Sequence, residues 1–286
     1  MKRLREAFGA KRGIYSGALS VILLAASVIH SNAQIISARN TSLQANLTGG
    51  FSAGLTDWTI NGVNELQEQW FYYSVGNGPV ASIDSISAPS APVTTTGNVP
   101  TLTTTYANST LSVTAGFSLQ SQPLGSPRAS LATSITLDNT ASTTQTFHFY
   151  QYSDFSLGGL TGGQSVQFFN PSPQYEVLQS GNGGSLTGLL TAVSGGTGDT
   201  VEEQAGLFNG QRFGLTNGTP VTLNNTLTAG PGNVNFAYEI DATLAPGTSL
   251  TISELQTVPE PSTLALIAPG VLALFCGRRL VSFKKS

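Results

Sequence analysis

The residues best suited to chemistry lie together near the middle of the chain. His148 is followed at alternate positions by Tyr150, Tyr152 and Asp154. Alternate residues of a β-strand point to one face of a sheet, so a strand here would group these side chains. A catalytic triad would use His148 as its base and would need a serine and a carboxylate from elsewhere in the fold. Alternatively, His148 would line a pocket together with Tyr150, Tyr152 and Asp154. The simplest interpretation is a polar residue on a solvated strand face.

Pairs of acidic residues are the second kind of chemistry that the sequence offers. A glycoside hydrolase needs two carboxyl groups about 5–10 Å apart. Asp154 with Glu176, and Glu239 with Asp241, are candidate pairs. Glu239 and Asp241 would share one strand face, where two neighbouring like charges are typical of a solvated surface. Thirteen acidic residues in 34–257 make chance pairs common, so no catalytic residue is predicted.

Metal ligands are scarce in the body of the chain. A zinc site of the histidine–cysteine type needs several such residues, and residues 34–257 contain one histidine and no cysteine. Calcium prefers several oxygens on one loop. Asp199 with 202–203, or 138–139, would supply oxygens, but neither group has the spacing of an EF-hand. The sequence therefore predicts no metal ligand set and no cofactor.

Aromatic residues are the remaining candidates for a binding function. Trp58, Trp70, Tyr72 and Tyr150, with Tyr73 and Tyr152 beside them, would form a platform on which sugar rings stack. Stacking is favourable because the C–H faces of sugars are apolar and aromatic rings are flat. Aromatic residues at alternate strand positions more often belong to a core. Their exposure therefore decides between a carbohydrate platform and packing.

The elements that must position these residues are short strands. Val, Ile, Leu, Phe and Tyr recur with a period of two, and Gly, Asn and Pro clusters separate the runs. No segment of ten or more residues in 34–257 has the period of a helix. Roughly a dozen strands are expected, which favours an all-β fold, an antiparallel β-sandwich. One domain is predicted over 34–257.

Several local predictions follow from turn chemistry. Asn61-Gly62 predicts a type I′ hairpin, since both central positions of that turn need a positive φ. Strands 130–137 and 144–152 are predicted to pair with each other around 138–140. A second hairpin is predicted around Asn217-Gly218, and a helical turn at 202–204.

Charge and cysteine content exclude some classes of protein. Residues 34–257 carry three arginines, no lysine and thirteen acidic residues, a net charge of −10. Three scattered cations cannot neutralise enough phosphates to hold nucleic acid. Cys276 is the one cysteine of the chain, so the body has no disulfide and its stability must come from core burial.

The N-terminus has the pattern of a secretory signal peptide. A basic segment containing Lys2, Arg3 and Arg5 precedes an apolar run at 17–29. Small residues then stand at the −3 and −1 positions of a cleavage point between Ala33 and Gln34. Residues 1–33 are therefore predicted to be removed on export.

The C-terminus combines a proline-rich hexamer, an apolar run and basic residues. Residues 264–277 are apolar and form a short transmembrane segment, shorter than the ~20 residues a spanning helix usually needs. Arg278 and Arg279 follow and should keep the end of the chain in the cytoplasm. The prolines before the apolar run disfavour helix, so an extended peptide is expected beside the membrane.

Residues 258–286 resemble the PEP-CTERM sorting signal. The resemblance rests on Val258, Pro259, Glu260, Pro261, Ser262 and Thr263, the apolar run, and Arg278 with Arg279. It implies recognition of the Pro-Glu-Pro tripeptide by an exosortase, a membrane cysteine protease or transpeptidase. It also implies a Gram-negative bacterium that makes exopolysaccharide. The body, with Trp70–Tyr73 and Tyr152–Phe155, is similar to secreted proteins that carry this signal and have no assigned activity.

A non-catalytic exported protein of the cell surface or extracellular matrix is the predicted function. Its expected partners are the general secretion machinery, the exosortase, the inner membrane during transit, and exopolysaccharide. The alternatives are a carbohydrate-binding β-sandwich, which requires exposed aromatic residues, and a secreted polysaccharide hydrolase or lyase, which requires a cleft with convergent acids.

Overall fold

The computed structural model describes residues 33–169, 175–193, 197–208 and 212–258, which contain eighteen β-strands and three short 3-10 turns. The strands are β1 (Gln34–Ala38), β2 (Thr41–Asn46), β3 (Gly54–Ile60), β4 (Val63–Asn64), β5 (Leu66–Val75), β6 (Ala81–Ser82), β7 (Val93–Thr95), β8 (Thr101–Ala107), β9 (Leu111–Gln120), β10 (Ala129–Asn139), β11 (Gln145–Phe155), β12 (Gln164–Phe169), β13 (Tyr175–Gly181), β14 (Gly184–Val193), β15 (Thr197–Leu207), β16 (Thr228–Gly232), β17 (Val234–Leu244) and β18 (Ser249–Val258). The 3-10 turns are Gly50–Ser52, Ile83–Ser85 and Leu157–Gly159.

Two antiparallel sheets of nine strands each form the sandwich. Sheet A has the order β1-β2-β3-β5-β11-β17-β15, with β4 paired to β3 and β6 paired to β5. Sheet B has the order β16-β12-β13-β14-β18-β10-β9-β8-β7. The predicted all-β sandwich is confirmed, with more strands than the dozen expected, since several strands of two to five residues have no clear alternation of their own.

The core lies between the sheets and is rich in aromatic rings. Phe71 of β5 stacks on Phe149 of β11, with centroids 5.8 Å apart, and on Phe117 of β9, with centroids 6.1 Å apart. Phe155 stacks on Phe236 in the same way, at 6.0 Å. Each buried aromatic removes a large apolar area from water, and ring pairs at these distances add about 0.5–1.5 kcal/mol. The sandwich is therefore stabilised without a disulfide.

The hairpin predicted at Asn61-Gly62 is confirmed. Ile60 pairs with Val63, which leaves a loop of two residues. Asn61 has φ 49° and Gly62 has φ 85°. Both angles lie in the left-handed region that a type I′ turn requires.

The predicted pairing around residues 138–140 is wrong. β10 belongs to sheet B, where it pairs with β9 and β18, and β11 belongs to sheet A, where it pairs with β5 and β17. The Asn139 side chain holds the crossing between sheets, because its amide nitrogen donates to the carbonyls of Thr143 and Leu244. Alternation along a strand marks its buried face and says nothing about its partner strand.

Two more local predictions are wrong. Residues 202–204 form part of β15 rather than a helical turn. Within 212–227, the region of the predicted hairpin at Asn217-Gly218 consists of turns and irregular backbone. Asn217 donates its backbone N–H to the Gly214 carbonyl, and the segment lies on sheet A instead of pairing with itself.

The ends of the described sandwich lie next to the two predicted processing regions. β1 begins at Gln34, directly after the predicted cleavage point. β18 includes Val258, which pairs with Ala129, so the last strand extends one residue beyond the predicted boundary at residue 257. Among the described residues, the structure contains no helix with the length and apolar character needed to cross a membrane. The predicted signal peptide up to residue 32 and the predicted transmembrane segment 264–277 lie outside the described residues.

Candidate functional site

The outer face of sheet A, the face turned away from sheet B, carries a histidine, several acidic residues and several aromatic residues. Residues directly opposite each other on paired strands share a face. The strand registers place Glu68, Trp70, Tyr72 and Ser74 of β5, His148, Tyr150, Tyr152 and Asp154 of β11, Asn235, Glu239 and Asp241 of β17, and Glu202 of β15 on this outer face. The prediction that His148, Tyr150, Tyr152 and Asp154 share one face is therefore correct, and Phe147 and Phe149 lie on the other face.

Residues 212–227, here called the covering segment, lie over this face. Tyr150 donates its hydroxyl to the Val221 carbonyl at 2.7 Å. The backbone N–H of Leu223 donates to Glu239 Oε2 at 2.7 Å. Arg212 donates from Nη1 to the Tyr72 hydroxyl at 3.1 Å. The outer face of sheet A is thus largely covered, and Glu239, which was predicted to lie on a solvated face, is buried there.

The predicted carbohydrate platform is not an exposed surface in this structure. The strand registers place Trp70, Tyr72 and Tyr150 on the outer face of sheet A, but their exposed fractions are only 0–1%, and Trp70 packs edge-on against Tyr106 of β8 in sheet B. Trp58 is fully buried in the core, where it packs edge-on against Phe155 and donates its indole N–H to Thr41. None of these four rings offers a free face to a sugar.

A pocket of about 480 Å³ remains open beside the covering segment. It is lined by Gln67, Glu68, Asp154, Phe208, Arg212, Thr216 and Asn233. Glu68 and Asp154 are directly opposite on β5 and β11. The Asp154 residue is only 6% exposed, and its Oδ1 atom is buried without a hydrogen-bond partner. The pocket is therefore lined by two neighbouring carboxyl groups, and Asp154 contributes an oxygen without a hydrogen-bond partner.

One arginine organises the charges of this pocket. Arg212 Nη2 lies 2.6 Å from Glu68 Oε2, and its guanidinium carbon lies 5.8 Å from the centroid of the Tyr152 ring. Burial raises the pKa of Glu68 to about 7, although the charge of Arg212 lowers it. Burial also raises the pKa of Asp154 to about 7, again against the effect of Arg212. Two neighbouring carboxyl groups thus titrate near neutrality, where each can donate or accept a hydrogen bond.

A second polar cluster lies further along the same face. His148 Nδ1 is 2.5 Å from Asp241 Oδ1 and 3.4 Å from Glu239 Oε1. The Glu239 residue is 1% exposed, so the interpretation of this acid as part of a solvated face is wrong. The pKa of Glu239 is raised to about 7, mainly by burial and in part by the charge of Asp241, although the hydrogen bond from the Leu223 N–H lowers it. One potential ligand atom from each of the three residues lies within 4.8 Å of the others.

The remaining sequence-based candidates are not brought together. Asp154 lies in sheet A and Glu176 on β13 of sheet B, so the carboxylate pair proposed from the sequence does not form, and Glu68 is the neighbour of Asp154 instead. The Asn139 side chain is occupied by backbone hydrogen bonds. The Asp199 side chain lies outside the described residues.

Glu68 and Arg212 are site residues that the sequence analysis missed. Arg212 is one of three basic residues in 34–257, and this rarity is the signal that could have identified it. An arginine in such an acidic domain is expected to form an ion pair with a buried carboxylate. Glu68 carries no comparable signal, since its pairing with Asp154 depends on the register of β5 and β11.

Residues 50–54 have a Gly-x-Ser-x-Gly sequence, which is also the pattern of a serine hydrolase elbow. That motif works at a sharp turn between a strand and a helix. Here Ser52 ends a 3-10 turn that is followed by β3, and its hydroxyl donates to the Gly49 carbonyl at 3.1 Å. The structural context of the hydrolase motif is therefore missing at this position.

The predicted sorting residues lie at the C-terminal end of the chain. Val258 is paired within β18, whereas Pro259 to Thr263, Arg278 and Arg279 lie outside the described residues. Residues 257–279 match the PEP-CTERM protein-sorting motif. This motif implies an exported protein that an exosortase processes. The chain is accordingly an exported protein with a β-sandwich body, and it carries the PEP-CTERM motif.

No curated protein matches the chain in sequence. The solved structures similar to it include a bacterial glucoamylase complexed with acarbose, with 10% identity and a TM-score of 0.48 over 82% of this chain and 33% of the glucoamylase. This chain thus spans about a third of that protein.

Two further similar structures match over nearly their whole length. A candidate aldose 1-epimerase of Escherichia coli K12 has 8% identity and a TM-score of 0.47, over 80% of this chain and 99% of that protein. A galactose mutarotase-like protein of Lactobacillus casei has 8% identity and a TM-score of 0.43, over 79% and 99%. Similarities of this size support no inference about function.

Proposed function

We propose that this chain is a non-catalytic protein of the cell surface or extracellular matrix, which an exosortase processes at its C-terminus and which associates with exopolysaccharide. The proposal is carried by one observation, the continuity between the last strand and the sorting motif. β18 is a central strand of sheet B, between β14 and β10, and its last residue is Val258. The Pro-Glu-Pro tripeptide follows at once in the sequence.

This continuity separates the fold from the sorting step. Ten consecutive residue pairs, from Ala129–Val258 to Asp138–Ser249, hold β18 to β10. Pulling β18 away would expose backbone groups on both of its neighbours, so the strand should open only with the sheet. A cut beyond Val258 therefore leaves the sandwich complete and removes the apolar segment 264–277 that would keep it in the membrane.

The test is the substitution Glu260→Ala in the native host. We expect the variant to stay in the membrane fraction at its unprocessed mass, because it lacks the acidic group between the two prolines. The matched control is Glu176→Ala, which removes a half-exposed acid of the sandwich and should be processed like the parent. Intact-mass analysis of membrane and extracellular fractions provides the measurement. Normal release of the Glu260→Ala protein would contradict exosortase processing.

Association with exopolysaccharide has its own test. The released protein should co-sediment with polysaccharide from the native host and remain in the supernatant without it. Equal amounts of protein in the supernatant with and without polysaccharide would contradict the matrix role. This result would not contradict exosortase processing.

A second candidate function is carbohydrate binding in the pocket of Glu68, Asp154 and Arg212. The specific observation in its favour is the combination of a 480 Å³ volume with an arginine and two carboxyl groups. Sugar hydroxyls donate to carboxylates and accept from a guanidinium, and ligand pockets commonly have volumes of about 300–1,000 Å³. In this candidate function, sugars bind by hydrogen bonds inside a pocket rather than by stacking on an exposed aromatic platform.

Titration of the protein with oligosaccharides released from the host polysaccharide tests this candidate. Asp154→Asn should weaken binding at least tenfold, whereas Asp57→Asn on β3, outside the pocket, should bind like the parent. Measurement of new reducing ends in the same samples separates binding from cleavage. Chain cleavage that Asp154→Asn abolishes would favour the hydrolase alternative over a binding module.

A further inference from the structure

The cluster of His148, Glu239 and Asp241 brings two carboxyl groups to one imidazole. β11 and β17 place His148 directly opposite Asp241, and Tyr150 directly opposite Glu239. On the other side of β17, Glu202 of β15 is directly opposite Glu239. Two carboxyl groups thus lie beside a single imidazole, and Glu202 adds a third acidic residue next to Glu239 on the same sheet face. A buried concentration of acids is costly unless a cation compensates it.

Buried oxygen atoms at the cluster lack hydrogen-bond partners. Glu239 is 1% exposed, and its Oε1 atom makes no hydrogen bond although it lies 3.4 Å from His148 Nδ1. The Oε2 atom of Glu202 is also buried without a hydrogen bond. Buried polar atoms in native proteins are nearly always satisfied, by the protein, by water or by an ion. Glu239 Oε1 is therefore a buried oxygen that lies close to His148 Nδ1 without a hydrogen bond.

We propose that His148 Nδ1, Glu239 Oε1 and Asp241 Oδ1 bind one divalent transition-metal ion, of the zinc or manganese type. In a tetrahedral site with metal–ligand distances of about 2.1 Å, neighbouring ligand atoms lie about 3.4 Å apart. The distance from His148 Nδ1 to Glu239 Oε1 already has this value, at 3.4 Å.

The contact between His148 and Asp241 shows what must move. At 2.5 Å it is a hydrogen bond, with a proton between nitrogen and oxygen. A metal ion that replaces this proton requires the two atoms to separate by about 1 Å. The Asp241 side chain is 27% exposed, so it can move toward solvent without displacing the core. Binding through Nδ1 requires the proton there to pass to solvent or to be carried on Nε2 instead, and it needs no change in the strands.

The ligand types select the class of ion. Calcium and magnesium prefer oxygen ligands throughout, whereas a nitrogen with two carboxylate oxygens suits zinc or manganese. Three protein ligands leave a coordination position open for water. This position would face the partly exposed side of the cluster, where His148 is 24% and Asp241 27% exposed.

Binding would also stabilise the covering segment. Glu239 Oε2 accepts from the Leu223 N–H, and the neighbouring Tyr150 hydroxyl donates to the Val221 carbonyl. An ion on Glu239 Oε1 would fix this carboxylate and, through its other oxygen, residues 221–223. Groups that orient metal ligands in this way typically affect affinity strongly.

The test uses the full chain, purified in a mild detergent with a tag that contains no histidine and freed of metal with a chelator. Calorimetric titration with ZnCl2, and separately with MnCl2, measures binding. We expect one ion of at least one of the two metals to bind at this site and to raise the melting temperature. His148→Gln and Asp241→Asn should each weaken this binding at least tenfold. The control Glu176→Gln, on β13 of sheet B, should bind like the parent.

A second measurement keeps the proposal testable if a variant does not fold. Hydrogen exchange of the parent, with and without the ion, should show slower exchange at residues 221–223. His30 and Cys276 are also capable of binding zinc, and a signal that survives in His148→Gln and Asp241→Asn would belong to them. Absence of binding by the parent, or unchanged binding in both folded variants, would overturn the proposal.

Discussion

The outer faces of the two sheets differ in composition and in what lies on them. The outer face of sheet A carries acids, a histidine and aromatic rings beneath the covering segment. On the outer face of sheet B, a depression of about 460 Å³ is bordered mainly by small or hydroxylated residues, among them Thr101, Thr103, Gly116, Ser118, Ala132, Ser134 and Ser253. Both faces arise from the same alternation along the strands.

The comparison shows that burial, rather than strand pattern, sets the chemistry of each face. Side chains with hydroxyl groups on the outer face of sheet B, such as Thr103 and Ser134, are at least partly exposed to water. The acids on sheet A are enclosed, and this enclosure raises the pKa of Glu68, Asp154 and Glu239 to about 7. The covering segment therefore turns a polar sheet face into a place where binding and proton exchange are possible.

The largest expected difference between the two faces is in packing. Tyr150→Ala on the outer face of sheet A removes a ring that is 1% exposed, and should lower the free energy of unfolding by about 3–5 kcal/mol. Thr103→Ala on the outer face of sheet B should change it by less than about 0.5 kcal/mol. Urea unfolding measures both variants. A cost below about 1 kcal/mol for Tyr150→Ala would show that residues 212–227 do not cover sheet A in solution.

A smaller difference is expected in the pH dependence of stability. The pKa of Asp154 is about 7 in the folded protein against 3.8 for the free group, and the cause is burial. The folded state then holds the proton of Asp154 more tightly than the unfolded state does. The resulting contribution to the free energy of unfolding is complete below about pH 4 and is lost as the pH rises to about 7.

The variant Asp154→Asn should lack that loss, and between pH 4 and 7 its free energy of unfolding should fall by about 2 kcal/mol less than that of the parent. Denaturant titrations at pH 4, 5.5 and 7 provide the comparison. Parallel profiles of parent and variant would contradict a raised pKa for Asp154.

The smallest expected effect comes from one substitution made on both faces. A Cβ at Gly206, on the outer face of sheet A, would lie 2.7 Å from Phe213 of the covering segment, whereas at Gly116 its nearest neighbour would be the Ser134 carbonyl oxygen at 3.6 Å. Gly206→Ala should cost about 1–2 kcal/mol through overpacking. Gly116→Ala should stabilise by about 0.5 kcal/mol, because alanine restricts the unfolded chain. Thermal unfolding of both variants checks the sign, and equal shifts would remove the distinction between the faces.

Sequence by itself determined the fold class, the turn at Asn61-Gly62, the alternation of β11 and the sorting motif at residues 257–279. These features depend on local chemistry. A type I′ turn needs two positive φ angles, a strand needs a period of two, and a processing enzyme recognises a short peptide. Each of them is complete within a few consecutive residues.

Tertiary structure alone decided which strands are neighbours, and therefore which side chains meet. Strand alternation predicts that Asp154 and Glu239 lie on one face of their strands, but their partners, Glu68 and His148, depend on the pairing of β5, β11 and β17. The burial of that face depends on residues 212–227, whose hydrogen bonds to Tyr72, Tyr150 and Glu239 join positions 16 to 140 residues apart. Such contacts form only after long loops close, and no pattern within a single segment records them.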